Sequence, residues 1–103
     1  MEVNILGTDY EIKYETRMEN PKLINANGLC EFWAKKIIID KIEPDPNNYE
    51  NITEFEKKVI RHEIIHAFLG ESGLRQYRDD ETLVDWFAVQ FHKIEEVFKE
   101  LKI

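Results

Sequence analysis

The segment His62-Glu63-Ile64-Ile65-His66 constrains this chain more than any other. It takes up two of only three histidines. On an α-helix, residues four apart share a face, so both rings can point at one ion. Glu63 follows the first ring, where a carboxylate reaches a water on that ion. Imidazole ligands, an activated water and a general base are what a hydrolytic zinc site needs. The flanking residues decide where such a helix must sit. Ile64-Ile65 and Ala67-Phe68-Leu69 make its second half apolar nearly all round, so it belongs in the core. Two histidines and a glutamate are costly there without a partner.

With 103 residues, the chain is expected to form one small domain, residues 1–103, with little area for a deep substrate cleft. Its 21 acidic residues against 14 basic ones give a formal net charge of −7, and no basic run is present. Nucleic acid therefore has no electrostatic support as a partner. Cys30 is the sole cysteine and can build neither an internal disulfide nor a thiolate zinc site alone. It reads as a buried core thiol. The charged, alternating N-terminus is neither signal peptide nor anchor, and no apolar run approaches a bilayer span. The expected compartment is a reducing cytoplasm.

Residues 2–6 and 10–15 alternate, with Tyr10, Ile12 and Tyr14 on one face and Gly7-Thr8-Asp9 as the turn of a β-hairpin. Residues 16–28 are broken by Pro21, Asn25, Asn27 and Gly28. Strands are expected over Leu29–Trp33 and Lys36–Asp40, and the proline-rich stretch 43–51 ends the sheet. Thr53, three residues before Glu56, opens the first long helix with capping-box spacing. Gly70 is its expected stop, with Gly73 close behind. After a polar loop over 71–79, a second helix runs from about Asp80 to Leu101. Leu83, Phe87, Phe91, Ile94, Phe98 and Leu101 form its core stripe. Trp86, Val89 and Val97 fall away from that stripe, toward either a dimer surface or the N-terminal hairpin.

Two histidines leave a catalytic zinc one protein ligand short. Cys30, His92 and the downstream carboxylates are the candidates, and Glu81 is the best placed, where the chain returns toward the first helix. Asp79-Asp80-Glu81 also reads as acids favoured by a helix dipole. Asp85 lies one turn beyond Glu81 and can accept the free ring N–H of a ligating histidine. His92 lies about 16 Å along the helix from Glu81, too far to share its ion, and reads as a surface or capping residue.

Asp80-Glu81-Thr82-Leu83-Val84-Asp85 resembles the Glu-xxx-Asp element that follows HExxH in gluzincins, the thermolysin-like zinc peptidases. The span from Gly28 to Ala88 is similar to the small metallopeptidase domain of the ImmA/IrrE family. It carries Gly28, the apolar strand Ile37–Ile39, His62 to His66, and Glu81-xxx-Asp85-Trp86-Phe87-Ala88. The likeness covers roughly 60% of the chain and rests on few diagnostic residues. It implies Zn2+ on His62, His66 and Glu81, with Asp85 behind one histidine. It also implies a protein substrate such as a transcriptional repressor, and carriage on a phage or mobile element. The chain departs from that pattern in lacking a helix before the sheet. It also lacks a clear transition-state donor after the third ligand, so Tyr77, with Arg75 and Arg78, is the substitute.

The expected fold is α+β: a small, mostly antiparallel sheet packed against the HExxH helix and a C-terminal helix, a minimal zincin-like domain. The expected activity is zinc-dependent hydrolysis of a peptide bond, with Glu63 as general base and the Ile37–Ile39 strand pairing with an extended substrate. The alternatives are a zinc-bound, antirepressor-like interaction module that does not cut, and a metal-free structural protein.

Overall fold

The computed structural model describes residues 1–41 and 52–103. The loop expected over 43–51 lies outside them. Along the chain run β1 (Glu2–Ile5), β2 (Thr8–Glu15), a 3-10 turn (Pro21–Ile24), β3 (Gly28–Glu31) and β4 (Lys36–Asp40). The helices α1 (Ile52–Glu71), α2 (Arg75–Arg78) and α3 (Glu81–Leu101) follow. The fold is α+β, as expected. One four-stranded mixed sheet, in the order β1-β2-β4-β3, packs against the helices. Two of its pairings are antiparallel, and β2 runs parallel to β4.

That strand order overturns one expectation. Ile37–Ile39 is not an edge strand: β4 is interior, hydrogen-bonded to β2 on one side and β3 on the other. It has no free backbone for an added strand. Its composition agrees with this position, because a strand covered on both faces reads as a continuous β-branched run. Ile37 and Ile39 are fully buried with Tyr10, Ile12, Val59 and Ala67 in the core beneath α1. Ile38 and Asp40, on the opposite face by the two-residue period, are buried as well. The connection over 16–27 carries a fully buried Leu23, and Arg17 pairs with Asp40 at 3.3 Å.

The hairpin turn is tighter than expected. Its corner is Leu6-Gly7, with φ of +51° and +92°, and Thr8 already belongs to β2. Positive φ at both central residues is the type I′ pattern that fits the twist of a hairpin. Leucine is a poor occupant, because its Cβ crowds the carbonyl in the left-handed region. Leu6 is also more than half exposed, so little packing is lost on replacing it. Leu6→Asn is expected to stabilise the protein by about 1 kcal/mol, read as a rise in denaturation midpoint with an unchanged slope.

Helix α1 already includes Ile52, so it starts before Thr53, and it runs past Gly70 to Glu71. Gly73 is the stop. Its φ of +90° lets Leu74 N–H reach the Leu69 carbonyl at 3.0 Å and its own N–H reach that of Gly70 at 3.3 Å. This is a Schellman closure. Gly70 instead permits a close approach: a side chain there would overlap the Phe32 ring. Lys35 lies 4.0 Å and Arg78 4.6 Å from that ring's centre. Beside it, Glu71 accepts hydrogen bonds from Thr8 Oγ1 (3.1 Å), Tyr10 Oη (2.7 Å) and Lys35 Nζ (2.7 Å). The Lys35 and Tyr10 bonds hold the Glu71 carboxyl below its ordinary range. Burial and the same carboxylate push the Tyr10 phenol up. The network fastens the C-terminal end of α1 to the sheet, just beyond His66.

The stretch expected as a loop over 71–79 contains the single turn α2. Helix α3 starts one residue late, with Asp80 as N-cap: its side chain accepts from Leu83 N–H at 3.1 Å. Its buried residues are Val84 and Ala88, neither of them on the predicted stripe; Leu83, Phe87 and Ile94 are half-buried, and Phe91, Phe98 and Leu101 are exposed. Trp86 and Val97 are also exposed, so the hairpin does not cover them. Among the described residues, no helix is long and apolar enough to cross a membrane.

Candidate metal centre

Helix α1 carries His62, Glu63 and His66 over β3, and Gly28 sets how closely it sits. A Cβ on Gly28 would lie 2.8 Å from Val59 Cγ1 and 3.0 Å from Glu63 Cγ. Real side chains essentially never approach that closely, so glycine is what lets the Glu63 turn of α1 rest on the strand. The donor atoms of His62, Glu63 and His66 lie within 4.8 Å of one another, a group that can hold a metal ion.

Helix α3 brings Glu81 to the same point. His62 Nε2 lies 2.8 Å from Glu81 Oε2 and His66 Nε2 lies 3.0 Å from Glu81 Oε1. The two Nε2 atoms are 3.2 Å apart. Atoms bound 2.0–2.1 Å from a tetrahedral zinc would be about 3.3 Å apart, so these nitrogens already have the separation of metal ligands. The side chain of Glu81 is 69% exposed and sits at the mouth of the site. Asp80 caps the helix, which leaves the Glu81 carboxylate free to face the two rings.

The far sides of both rings are held. His66 Nδ1 lies against the Arg78 carbonyl. A carbonyl only accepts, so Nδ1 carries the proton and Nε2 turns its lone pair toward Glu81. His62 Nδ1 lies 3.4 Å from Asp85 Oδ1, an oxygen that Lys58 Nζ also reaches at 3.4 Å. A proton on His62 Nδ1 likewise leaves Nε2 as an acceptor. Two lone-pair nitrogens and two carboxylate oxygens then converge on one small volume.

Glu63 stands beside this cluster, only 5% exposed, and its Oε2 has no hydrogen-bond partner. Burial, and then the nearby Glu81 charge, push its carboxyl up to about 8. A buried carboxylate is that costly unless positive charge or a donor reaches it. The orphaned oxygen and the converging acceptors both fit a cation bound here.

The site opens into a cleft of about 820 Å³, ample for a peptide segment and larger than chain length alone led us to expect. β3, Asn25, Asn27, Phe32, Trp33, Phe55 and Arg78 contribute to its walls. Cys30 is among the lining residues and is partly buried, rather than being a wholly enclosed core thiol. Burial, then Glu63, push its thiol up to about 12. It is not among the donor atoms that converge at His62, Glu63 and His66.

The three residues considered as transition-state donors separate in the structure. The single turn of α2 leaves Tyr77 nearly half exposed, and neither Tyr77 nor Arg75 lines the cleft, whereas Arg78 does. The Arg78 Nη1 is buried without a hydrogen-bond partner. His92 is exposed on α3, away from the cluster. Sequence reasoning missed the Arg78 carbonyl as the partner of His66, since nothing in the side-chain pattern marks a backbone acceptor.

No family model matches the chain, and no curated protein or solved structure matches it.

Proposed function

We propose that this protein is a zinc-dependent peptidase, with His62, His66 and Glu81 as ligands and Glu63 as general base. One observation carries the reading: both Nε2 atoms and both Glu81 oxygens converge within 3.2 Å contacts, while the opposite ring nitrogens are held by Arg78 and Asp85. Bound there, zinc would supply a Lewis acid and lower the pKa of a coordinated water to about 7.

The chain's own groups do the rest. Asp85 and the Arg78 carbonyl fix the orientation of the rings. Glu63 takes a proton from the attacking water and passes it to the leaving amine. β3 is one of the two edge strands of the sheet and lines the cleft, so its unpaired backbone can hold an extended substrate beside His62, Glu63 and His66. Asn25, Asn27 and Arg78 line the cleft, and Arg78 is our candidate for the developing oxyanion.

Zinc-loaded wild type and Glu63→Gln, incubated with a mixed library of unstructured peptides, test this. Cleavage by the wild type that is lost by at least about a hundredfold in Glu63→Gln, at equal zinc content, is the expected result. Equal zinc content with no cleavage by either protein would favour a metal-bound interaction module over an enzyme.

A further inference from the structure

The apolar residues of α3 follow a heptad that the core does not use up. Val84, Phe87, Phe91, Ile94, Phe98 and Leu101 are spaced 3, 4, 3, 4 and 3 apart, the a/d seam of a coiled coil. Of α3 only Val84 and Ala88, near its start, are deeply buried, where the helix meets α1. Beyond that, Phe91 is 47%, Val97 53%, Phe98 44% and Leu101 63% exposed. Pairing along the two helices is antiparallel. Glu81 lies by His66, Asp85 by Lys58, and Arg61 donates to the Ala88 carbonyl at 3.0 Å. Extended at that rate, the last two turns of α3 pass the start of α1.

We propose that this overhang pairs with its own equivalent in a second copy of the chain, antiparallel, forming a two-fold dimer. Size favours that direction. An antiparallel register sets Phe91 of one copy opposite Leu101 of the other and Ile94 opposite Phe98, so every layer joins one aromatic to one aliphatic side chain. A parallel register would stack Phe91 on Phe91 and Phe98 on Phe98, and would crowd both globular bodies at one end. The antiparallel two-fold axis falls near residue 96, which brings Val97 beside Val97 and accounts for an exposed valine off the seam.

Charge permits the contact. The chain as a whole carries −7, yet residues 91–103 hold three lysines and three glutamates, so two copies meet there without net repulsion. Lys99 and Glu95 are already paired at 2.8 Å on each helix. The exposed apolar side chains offer roughly 400 Å² per copy. With the flanking lysine and glutamate stems, the pair approaches the ~1,000 Å² expected of a specific interface. The dimer belongs at the weak end, with dissociation in the micromolar range. None of this rests on the metal reading.

Sedimentation equilibrium at about 100 µM, well above such a constant, is the first measurement. Wild type is expected at twice the 12.3 kDa chain mass, and Phe98→Asp and Val97→Asp at once that mass, each with the wild-type far-ultraviolet circular dichroism. Glu96→Gln, facing away from the seam, is expected to remain dimeric. In a Cys30→Ser background, Val97→Cys is expected to cross-link under mild oxidation and Leu101→Cys is not, because residues 101 of the two copies lie at opposite ends of the seam. A monomeric wild type overturns the proposal, as does a dimer that survives both aspartate variants. Cross-linking through Leu101→Cys rather than Val97→Cys overturns the antiparallel arrangement.

Discussion

Zinc is expected to raise the melting temperature of the metal-free protein by roughly 15–30 °C at a thousandfold excess over its dissociation constant. The excess is worth about 4 kcal/mol, and 1 kcal/mol moves the midpoint of a domain this size by about 4–8 °C. The expectation follows from geometry already built into the fold: the two Nε2 atoms and the Glu81 carboxylate oxygens converge at ligand spacing, so a metal finds its donors in place. Glu81→Ala is the cleanest probe, since that side chain is mostly exposed and contributes little to the core. It should leave the metal-free melting temperature close to wild type and remove most of the zinc-induced rise. Asp85→Asn should keep the site and weaken it about 10–100-fold, seen as a smaller shift at the same zinc concentration. His66→Ala should also abolish the response. Its metal-free melting temperature is less informative, because the ring is nearly buried and its loss leaves a cavity. A wild-type midpoint that zinc does not move would sink the metal reading, and the peptidase reading with it.

The period of the helix, together with a short return of the chain, was enough to read which side chains cluster. His62 and His66 are one turn apart, and Glu81 and Asp85 are one turn apart on the next long helix, so packing two antiparallel helices through these faces makes the four residues meet. The strands were legible for the same local reason, as alternation in Tyr10 and Ile12 and as a β-branched run in Ile37–Ile39. Strand order was not legible. Nothing local distinguishes a β4 lying between β2 and β3 from one lying at the edge, because long-range pairing decides it. The continuous isoleucines were the available hint that both faces are covered. The hairpin corner was displaced toward Thr8 and Asp9 because Leu6 is an apolar residue in a left-handed position, where leucine is not expected. Tyr77 and Arg78 are adjacent in sequence, and only the unforeseen turn of α2 settles which of them faces the cleft. The apolar stripe of α3 was read as core because periodicity reports that a face is apolar without saying what, if anything, packs on it.

Without metal, stability is expected to fall as pH rises from about 4.5 to 8, and Glu63→Gln to remove that fall. The Glu63 carboxyl is pushed up to about 8 in the folded chain from an ordinary 4.5. Its neutral form is the one the fold accommodates. The contribution is therefore fully present below pH 4.5 and is lost progressively as the group is forced to ionise in the fold. Glu19, Glu71 and Glu95 are shifted the other way, so their contributions are present above the ordinary carboxylate pKa and disappear only under acid. Subtracting the Glu63→Gln profile from that of wild type isolates the one group, since those three are common to both proteins. At pH 8 the metal-free variant should be more stable by about 1–2 kcal/mol, read as a midpoint several degrees higher. The gain stays below the full charge penalty because a buried amide also lacks a partner there. Zinc should reverse the ranking of benefit. A bound cation supplies the positive charge that the ionised carboxylate lacks, so the wild type gains more from metal than the variant does, and its pH dependence flattens. Metal-free profiles of wild type and variant that run parallel across this range would show that Glu63 ionises in the fold at no cost. The buried, unpartnered oxygen would then not be the group that awaits the cation.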